Sequence, residues 1–307
     1  MPAAEDGCSL GRRRSEVPVE LSKLGILGLL DETACAETRD LARKIERLGY
    51  GALWFPQESG REAFSFASYL LSQTDRLVVG TGVAMAFAYE PFAVAGAART
   101  LGELFGDRFI LGLGVSNKVY NARRGFGYER PVAFMRDYLA KMKDAPYEAP
   151  KAPHSAPIVI AALMPTMLRL AASETNGTLT YLTTTEQVAR YRTAVGPHPW
   201  ICAVQVVVLE SDAATARRRA REYLHPYLDI GHYSERWSGL GFVEADFTNA
   251  GSDRLVDAIV AWGDEARIRQ RVADQFAAGA THVCMIPLNP RGGRRPDERA
   301  IDALAPH

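Results

Sequence analysis

The sequence predicts an α/β domain of the (β/α)8 barrel class, in which eight parallel strands each precede a helix. Two observations predict this fold. Apolar runs of strand length recur along the chain, and segments with apolar residues at helical spacing separate them. The strand segments are apolar throughout, as expected of parallel strands that are buried on both faces. The 307 residues suit one barrel of about 250 residues with additional segments.

The first half of the chain alternates strands and helices. After the apolar run LGILGLL, the next segment places Leu41, Ile45 and Leu48 on one helical face and stops at Gly49. Pro91 stands in the first turn of the third helix, where proline is tolerated. The strands are predicted at 24–30, 52–55, 76–85 and 108–115, and the helices at 37–51, 64–74 and 91–105.

The same alternation continues in the second half, beyond a segment at 117–131 that is interpreted as a loop. A proline-rich link at 145–157 joins a helix to the next strand. Residues 229–251 show no clear period and are interpreted as an insertion before the last strand. The strands are predicted at 158–163, 178–182, 200–210 and 282–288, and the helices at 131–143, 166–174, 185–195, 212–228, 252–261 and 264–277.

The domain is predicted to cover residues 21–290, because no interior linker interrupts the alternation. Residues 1–20 contain three consecutive arginines and are expected to form a flexible tail. Glu16, Pro18 and Glu20 interrupt the apolar stretch that a secretory signal needs. Residues 291–307, which begin RGGRRP, are interpreted as a solvated C-terminal extension.

The composition excludes several classes of function. Lys and Arg number 36 and Asp and Glu also number 36, so no net charge favours nucleic acid or a membrane surface. No apolar run is long enough to span a bilayer. Cysteines 8, 35, 202 and 284 are scattered and the histidines lack metal-ligand spacing, so no metal site is predicted. We expect reduced thiols and a cytoplasmic protein.

Residues 109–116 (FILGLGVS) pose a choice between a nucleotide loop and a barrel strand. A dinucleotide loop requires a third glycine at the position of Asn117, so Gly112 and Gly114 are assigned to a strand. We expect these glycines to clear space beneath a flat ligand. In a barrel, ligands bind at the carboxyl ends of the strands. The residues predicted at those ends are Gln57, Glu58, Gly82, Val83, Ala84, Ser116, Asn117, Ala161, Ala162, Leu163 and Tyr181.

Four segments together resemble the luciferase-like monooxygenase superfamily, and within it the oxidoreductases that use the deazaflavin coenzyme F420. They are 41–64, 76–85, 90–116 and 251–272, and the third contains the specific run GDRFILGLGV. The resemblance covers about residues 22–288. It implies a barrel that binds a deazaflavin or flavin at the carboxyl ends of its strands, and it also implies a homodimer.

The resemblance also implies two features of the cofactor site. Members carry a non-proline cis peptide after the third strand, which corresponds to Gly82–Val83 in this sequence. The cofactor phosphate is held by the turn after the fifth strand, here AALMPTM (161–167), where a helix N-terminus faces the anion. Relatives usually have glycine before the proline, where this chain has Met164, and Thr166 offers a hydroxyl.

The proton that accompanies hydride transfer requires an acid or base. Relatives usually place an acidic residue directly after the second strand, where this chain has Gln57 followed by Glu58. Glu58 is therefore the predicted catalytic residue. His232 and Trp237 in the insertion are predicted to contact substrate from above the barrel.

The sequence thus predicts an oxidoreductase that transfers a hydride between coenzyme F420 and a small organic substrate. Arg123 and Arg124, which follow the fourth strand, suit the polyanionic tail of that coenzyme. Two alternatives stay open. One is an FMN-dependent monooxygenase or reductase with the same fold. The other is a barrel that binds a cofactor or ligand without catalysis, which Met164 and Gln57 favour.

Overall fold

A computed structural model describes residue 19 and residues 21–306 of the chain. The predicted N-terminal tail lies outside these residues except for Val19, which is buried. Eight parallel strands form a closed ring, because the last of them pairs with both the first and the seventh. The predicted (β/α)8 barrel is therefore confirmed. In ring order the strands are β1 Leu24–Leu27, β2 Ala52–Phe55, β3 Val78–Thr81, β5 Phe109–Gly114, β6 Ile158–Ala161, β7 Gly177–Thr180, β8 Trp200–Leu209 and β10 His282–Pro287.

Two short strands lie outside the ring. The strand β4, Ala84–Met85, pairs with β5, and β9, Val260–Gly263, pairs with the end of β8. The helix predicted at 252–261 therefore ends at Ile259, because β8 extends beyond the ring and offers its free edge to the residues that follow. Main-chain pairing with a distant strand decides this boundary, which helical periodicity in the sequence cannot show.

The helices surround the ring, and three of them lie in two interior segments without a predicted element. Residues 117–131, interpreted as a loop, contain α4, and the insertion at 229–251 contains α9 and α10. The helices are α1 Cys35–Arg47, α2 Ala63–Ser72, α3 Pro91–Phe105, α4 Lys118–Arg123, α5 Pro131–Asp144, α6 Pro165–Glu174, α7 Thr185–Val195, α8 Ala213–Leu228, α9 Gly231–Ser238, α10 Glu244–Phe247, α11 Asp253–Ile259, α12 Glu265–Ala277 and α13 Glu298–Ala303.

The segment beyond residue 290, interpreted as a solvated extension, includes α13. Ala300 and Ile301 of this helix are fully buried in the main hydrophobic core. The Tyr50 hydroxyl donates to the Ile301 carbonyl at 2.9 Å, and Lys44 of α1 pairs with Glu298 at 2.9 Å. This helix follows β10 and supplies the outer layer there, so the extension is in fact packed against the barrel. The domain boundaries at 21 and 290 themselves stay a prediction.

The strands separate two hydrophobic cores. Successive strand residues belong alternately to one core, which they share with α1 and α2, and to the other, which fills the barrel. Trp54 and Val204 lie in the interior core. That core continues beyond the strand ends into α8 through Ala216, Ala220 and Leu224. Helix α8 therefore packs over the carboxyl end of the barrel and borders any site there.

Candidate active site at the carboxyl end of the barrel

The end of β3 carries the feature that the resemblance implied, a cis peptide between Gly82 and Val83. The pairing of β3 with β5 stops at Gly80 and resumes from Ala84 in β4. In the gap, the Thr81 hydroxyl donates to the Gly112 carbonyl at 2.7 Å and accepts from the Gly112 amide at 2.9 Å. One buried side chain thus replaces the main-chain bonds that the bulge interrupts. Gly82 and Val83 remain partly exposed.

Gly112 and Gly114 make room for this bulge and not for a ligand. A Cβ atom on Gly112 would lie 1.8 Å from the Thr81 carbonyl oxygen, and one on Gly114 would lie 2.5 Å from Cγ2 of Val83. The expectation that these glycines clear space beneath a flat ring is therefore wrong. The bulge brings residues 81–83 against β5, and a strand that is contacted so closely can carry no side chain at those positions.

Gln57, which follows β2, is hydrogen-bonded to the same bulge. Its main-chain amide donates to the Val83 carbonyl at 3.3 Å, and its side-chain oxygen accepts from the Met85 amide at 3.0 Å. Its side-chain nitrogen donates to the Tyr89 hydroxyl at 2.8 Å, which in turn donates to Glu62. An amide both donates and accepts here, which a carboxylate cannot do. This explains glutamine at a position where the family resemblance led us to expect an acid.

Glu58, the predicted catalytic residue, is tied to two arginines. Its carboxylate pairs with Arg294, on the loop between β10 and α13, and its carbonyl accepts from Arg124. About a third of its side chain is exposed. The catalytic role of Glu58 stays a prediction.

The end of β5 turns sharply into α4. Ser116 has a φ of 57°, in the left-handed region that costs a non-glycine residue about 1–2 kcal/mol. Asn117 then caps α4, because its side-chain oxygen accepts from the Tyr120 amide at 3.0 Å. The side-chain oxygen of Asn117 is therefore committed to the helix, and Ser116 remains the partly exposed hydroxyl at this strand end.

The turn after β6 presents an open helix N-terminus. Ala161 ends β6, Ala162 is buried, and Met164 precedes Pro165 without capping α6 through its side chain. The Met164 side chain is 39% exposed, so it points away from the core. The Thr166 hydroxyl is exposed and accepts from Arg169 at 3.4 Å. By contrast, Thr184 caps the neighbouring α7. First-turn amides, a hydroxyl and a guanidinium are suitable ligands for a phosphate.

Leu163 and Tyr181 border the barrel opening beside this turn. The Leu163 carbonyl accepts from the Tyr191 hydroxyl at 3.0 Å. The Tyr181 hydroxyl is hydrogen-bonded to both Tyr223 and Tyr227 of α8. Burial raises the pKa of Tyr181 well above its ordinary value, so its hydroxyl is protonated at neutral pH.

Helix α9 is docked over the end of β7. Arg236 donates to the carbonyls of Tyr181 and Leu182, and the Trp237 indole donates to the Leu182 carbonyl at 3.2 Å. Trp237 is fully buried, so in this structure its ring packs and does not face an opening. His232 is partly exposed beside Tyr233, and burial lowers its pKa to about 4. Substrate contacts by His232 and Trp237 stay a prediction.

Sequence reasoning missed Thr81, Tyr223, Tyr227 and Arg294. Tyr223 and Tyr227 stand four residues apart on one helix, a spacing that places them on the same face. This four-residue spacing is visible in the sequence, but it does not show that α8 packs over the carboxyl end of the barrel. Arg294 belongs to a segment interpreted as solvated, and its partner Glu58 lies 236 residues away in the chain.

Other parts of the described chain are weaker candidates for a functional site. A cavity of about 390 Å³ is lined by Arg99, Lys143, Tyr147 and His154, but it lies where the link to β6 enters the opposite end of the barrel. Within residues 21–306, no three His, Cys, Asp or Glu side chains cluster as metal ligands would. No helix in that range has the length and apolar character needed to cross a membrane.

The family comparison covers most of the chain. The model of the luciferase-like monooxygenase family matches residues 22–282. The 5,10-methylenetetrahydromethanopterin reductase of Archaeoglobus fulgidus is 30% identical over 151 residues, which are 44% of this chain and 46% of that protein. The chain thus matches less than half the length of this curated relative.

Two solved structures share the fold. The coenzyme F420-dependent tetrahydromethanopterin reductase of Methanopyrus kandleri superposes with a TM-score of 0.73 at 17% identity, covering 94% of this chain and 98% of that one. The oxygenating constituent of 3,6-diketocamphane monooxygenase of Pseudomonas putida, in complex with FMN, gives 0.62 at 14% identity, covering 86% and 91%. The matched residues 22–282 and this shared architecture place the chain in the luciferase-like monooxygenase family.

Proposed function

We propose that the protein is an oxidoreductase that transfers a hydride between coenzyme F420 and a small organic substrate. The open N-terminus of α6 carries this proposal. Thr166 and Arg169 stand there beside the apolar opening that Val83 and Leu163 border. Both F420 and FMN have a phosphate near a planar ring system, and these residues fit that pair of features. When bound, the cofactor supplies or accepts the hydride.

The rim arginines favour F420 over FMN. The tail of F420 carries several carboxylates, whereas FMN carries only its phosphate. Arg123 and Arg124 follow the strand end at β5, and neither forms an ion pair with a carboxylate among the described residues. Unpaired guanidinium groups beside the opening are suited to bind such a tail. The FMN-bound neighbour supports FMN as the second candidate cofactor.

Cofactor titration tests the proposed function. We expect F420 to bind at least tenfold more tightly than FMN in a fluorescence titration of the purified protein. Arg169→Ala should weaken F420 binding about tenfold, because it removes one charged hydrogen bond to the phosphate. The control is Arg190→Ala on α7, an exposed arginine paired with Glu186, which should leave the affinity unchanged.

The other outcomes of this titration are also informative. Tight binding of FMN without binding of F420 would overturn the cofactor assignment and favour the flavin-dependent enzyme. Binding of neither would favour a barrel that does not catalyse hydride transfer. Equal affinity of wild type and Arg169→Ala would contradict the phosphate site at α6.

We also propose a homodimer that is formed through α3. Phe92 and Leu104 of this helix are 46% and 60% exposed, and the alanines between them allow close packing. Wild type should elute from a size-exclusion column at about twice the chain mass of 33.6 kDa, and Leu104→Glu should elute as a monomer. Val243 is equally exposed on another surface, so Val243→Glu is the control. A monomeric wild type would contradict this interface.

A further inference from the structure

Three tyrosine hydroxyls meet at the carboxyl end of β7. Tyr181 directly follows that strand, and Tyr223 and Tyr227 lie one turn apart on α8. The Tyr181 hydroxyl is hydrogen-bonded to Tyr223 and, at 3.0 Å, to Tyr227. We call these residues the tyrosine triad. All three side chains are partly exposed although α8 packs over them.

The triad has one more donor than its own contacts use. Three hydroxyl groups carry three hydrogens, and the two contacts among them use two. Among residues 21–306, no other protein atom forms a hydrogen bond with these three oxygens. One hydroxyl hydrogen is therefore left for an acceptor from outside the protein. Because the three side chains are partly exposed, water accepts this hydrogen bond when no ligand is bound, and an acceptor group of a substrate can replace that water.

The surroundings select a neutral acceptor. Tyr233 packs on Tyr227 with ring centroids 5.5 Å apart, and Val83 and Leu163 belong to the same apolar cluster as the triad. The two Nη atoms of Arg236 donate to main-chain carbonyls, and Arg294 pairs with Glu58. Neither guanidinium forms a hydrogen bond with a triad hydroxyl. A carboxylate at the triad would thus lose hydration without a cation among its hydrogen-bond partners there, whereas a carbonyl oxygen needs only the one hydrogen bond.

We propose that the tyrosine triad binds the carbonyl oxygen of an apolar aldehyde or ketone substrate and supplies its proton. The inference rests on the proposed function, since the substrate carbon must accept a hydride from a reduced deazaflavin or flavin. As the carbon–hydrogen bond forms, the π pair of the carbonyl moves to oxygen. The oxygen then takes the triad proton, and solvent returns a proton to the phenolate through the neighbouring hydroxyls. The products are an alcohol and the oxidised cofactor.

Burial keeps the triad in the required state. It raises the pKa of Tyr223 and Tyr227 well above the ordinary phenol value, so each hydroxyl carries its hydrogen at neutral pH. The triad is thus protonated, and able to donate to a carbonyl oxygen, before the substrate binds. A phenol that loses its proton to an alkoxide is then readily reprotonated.

A chromophoric aldehyde tests the triad without any cofactor. The absorption of 4-(dimethylamino)cinnamaldehyde moves to longer wavelength when its carbonyl oxygen accepts a hydrogen bond. We expect this shift on mixing the probe with cofactor-free wild type. The Tyr181→Phe/Tyr223→Phe/Tyr227→Phe triple variant should lose the shift and bind the probe about tenfold more weakly. Tyr50→Phe removes a buried hydroxyl elsewhere and should retain both properties.

Two single variants keep the test decisive if the triple variant does not fold. Tyr223→Phe and Tyr227→Phe each remove one triad hydroxyl and should each reduce the shift. The absence of a shift with wild type, or an undiminished shift in the variants, overturns the role of the triad. If wild type shows the shift but binds neither F420 nor FMN, the carbonyl subsite stands and the proposed function fails. If the cofactor binds but the triad variants keep the shift, only the subsite fails.

Discussion

Replacing Gly112 with alanine is expected to lower the free energy of unfolding by about 4 kcal/mol. The new methyl group would lie 1.8 Å from the Thr81 carbonyl oxygen, which is main chain and cannot rotate away. Relief requires β3 and β5 to separate, and that separation breaks both hydrogen bonds between the Thr81 hydroxyl and Gly112. Urea denaturation followed by circular dichroism measures the loss.

Gly231→Ala is the matched control for this substitution. Gly231 is exposed at the start of α9 and a Cβ atom there meets nothing within 4 Å. Its stability should stay within about 0.5 kcal/mol of wild type, as for most surface substitutions. If Gly112→Ala were as stable as this control, the close contact between the bulge and β5 would be refuted.

Because of His282, we expect the free energy of unfolding to decrease as the pH falls from about 6.5 to 4. The His282 ring is fully buried, its Nε2 accepts from the Trp54 indole at 3.0 Å, and its Nδ1 donates to the Ser22 carbonyl. Burial lowers its pKa from 6.5 to about 4. Between these values the unfolded chain binds more protons than the native state, so acid favours unfolding, with a total effect of about 3 kcal/mol.

His282→Leu separates this effect from general acid denaturation. At pH 7 the variant should unfold about 3 kcal/mol more easily, because the Trp54 indole and the Ser22 carbonyl lose their partner. Its stability should also vary less between pH 6.5 and 4 than that of wild type, although His232, whose pKa is lowered to about 4, still contributes in the same direction. Urea denaturation at several pH values measures both quantities.

Two controls accompany His282→Leu. His198→Leu changes an exposed histidine and should leave stability at pH 7 unaltered. Combining His282→Leu with Trp54→Phe should cost less than the sum of the two single changes, because the double variant leaves no unpaired indole. An identical pH profile for wild type and His282→Leu would show that this histidine is not held neutral.

Much of the fold was predictable because it depends on short-range patterns. Apolar runs at eight places, separated by segments such as the one with Leu41 and Ile45, correspond to the eight strands of the ring and their helices. These signals arise from side-chain spacing along a single element. The strand β9 was missed because its pairing depends on an extension of β8, more than 50 residues earlier in the chain.

The candidate site was predictable in position but less so in the roles of its residues. A barrel places strand ends together, so Val83, Ser116, Leu163 and Tyr181 do lie at the carboxyl end of the ring. Their roles depend on contacts between distant segments. Gln57 is hydrogen-bonded to a bulge, Asn117 caps a helix, and Trp237 holds α9 against the barrel. These roles cannot be inferred from the residue types alone.

The sequence by itself thus determined the barrel, the family resemblance and the end of the barrel at which a cofactor is to be sought. The tertiary structure alone decided that Gly112 and Gly114 accommodate the Thr81–Val83 bulge, that Arg294 reaches Glu58, and that α8 brings Tyr223 and Tyr227 to Tyr181. The physical reason is the range of the interactions. Helices and strands follow from neighbours along the chain, whereas close contacts and shared hydrogen bonds exist only once distant segments have packed together.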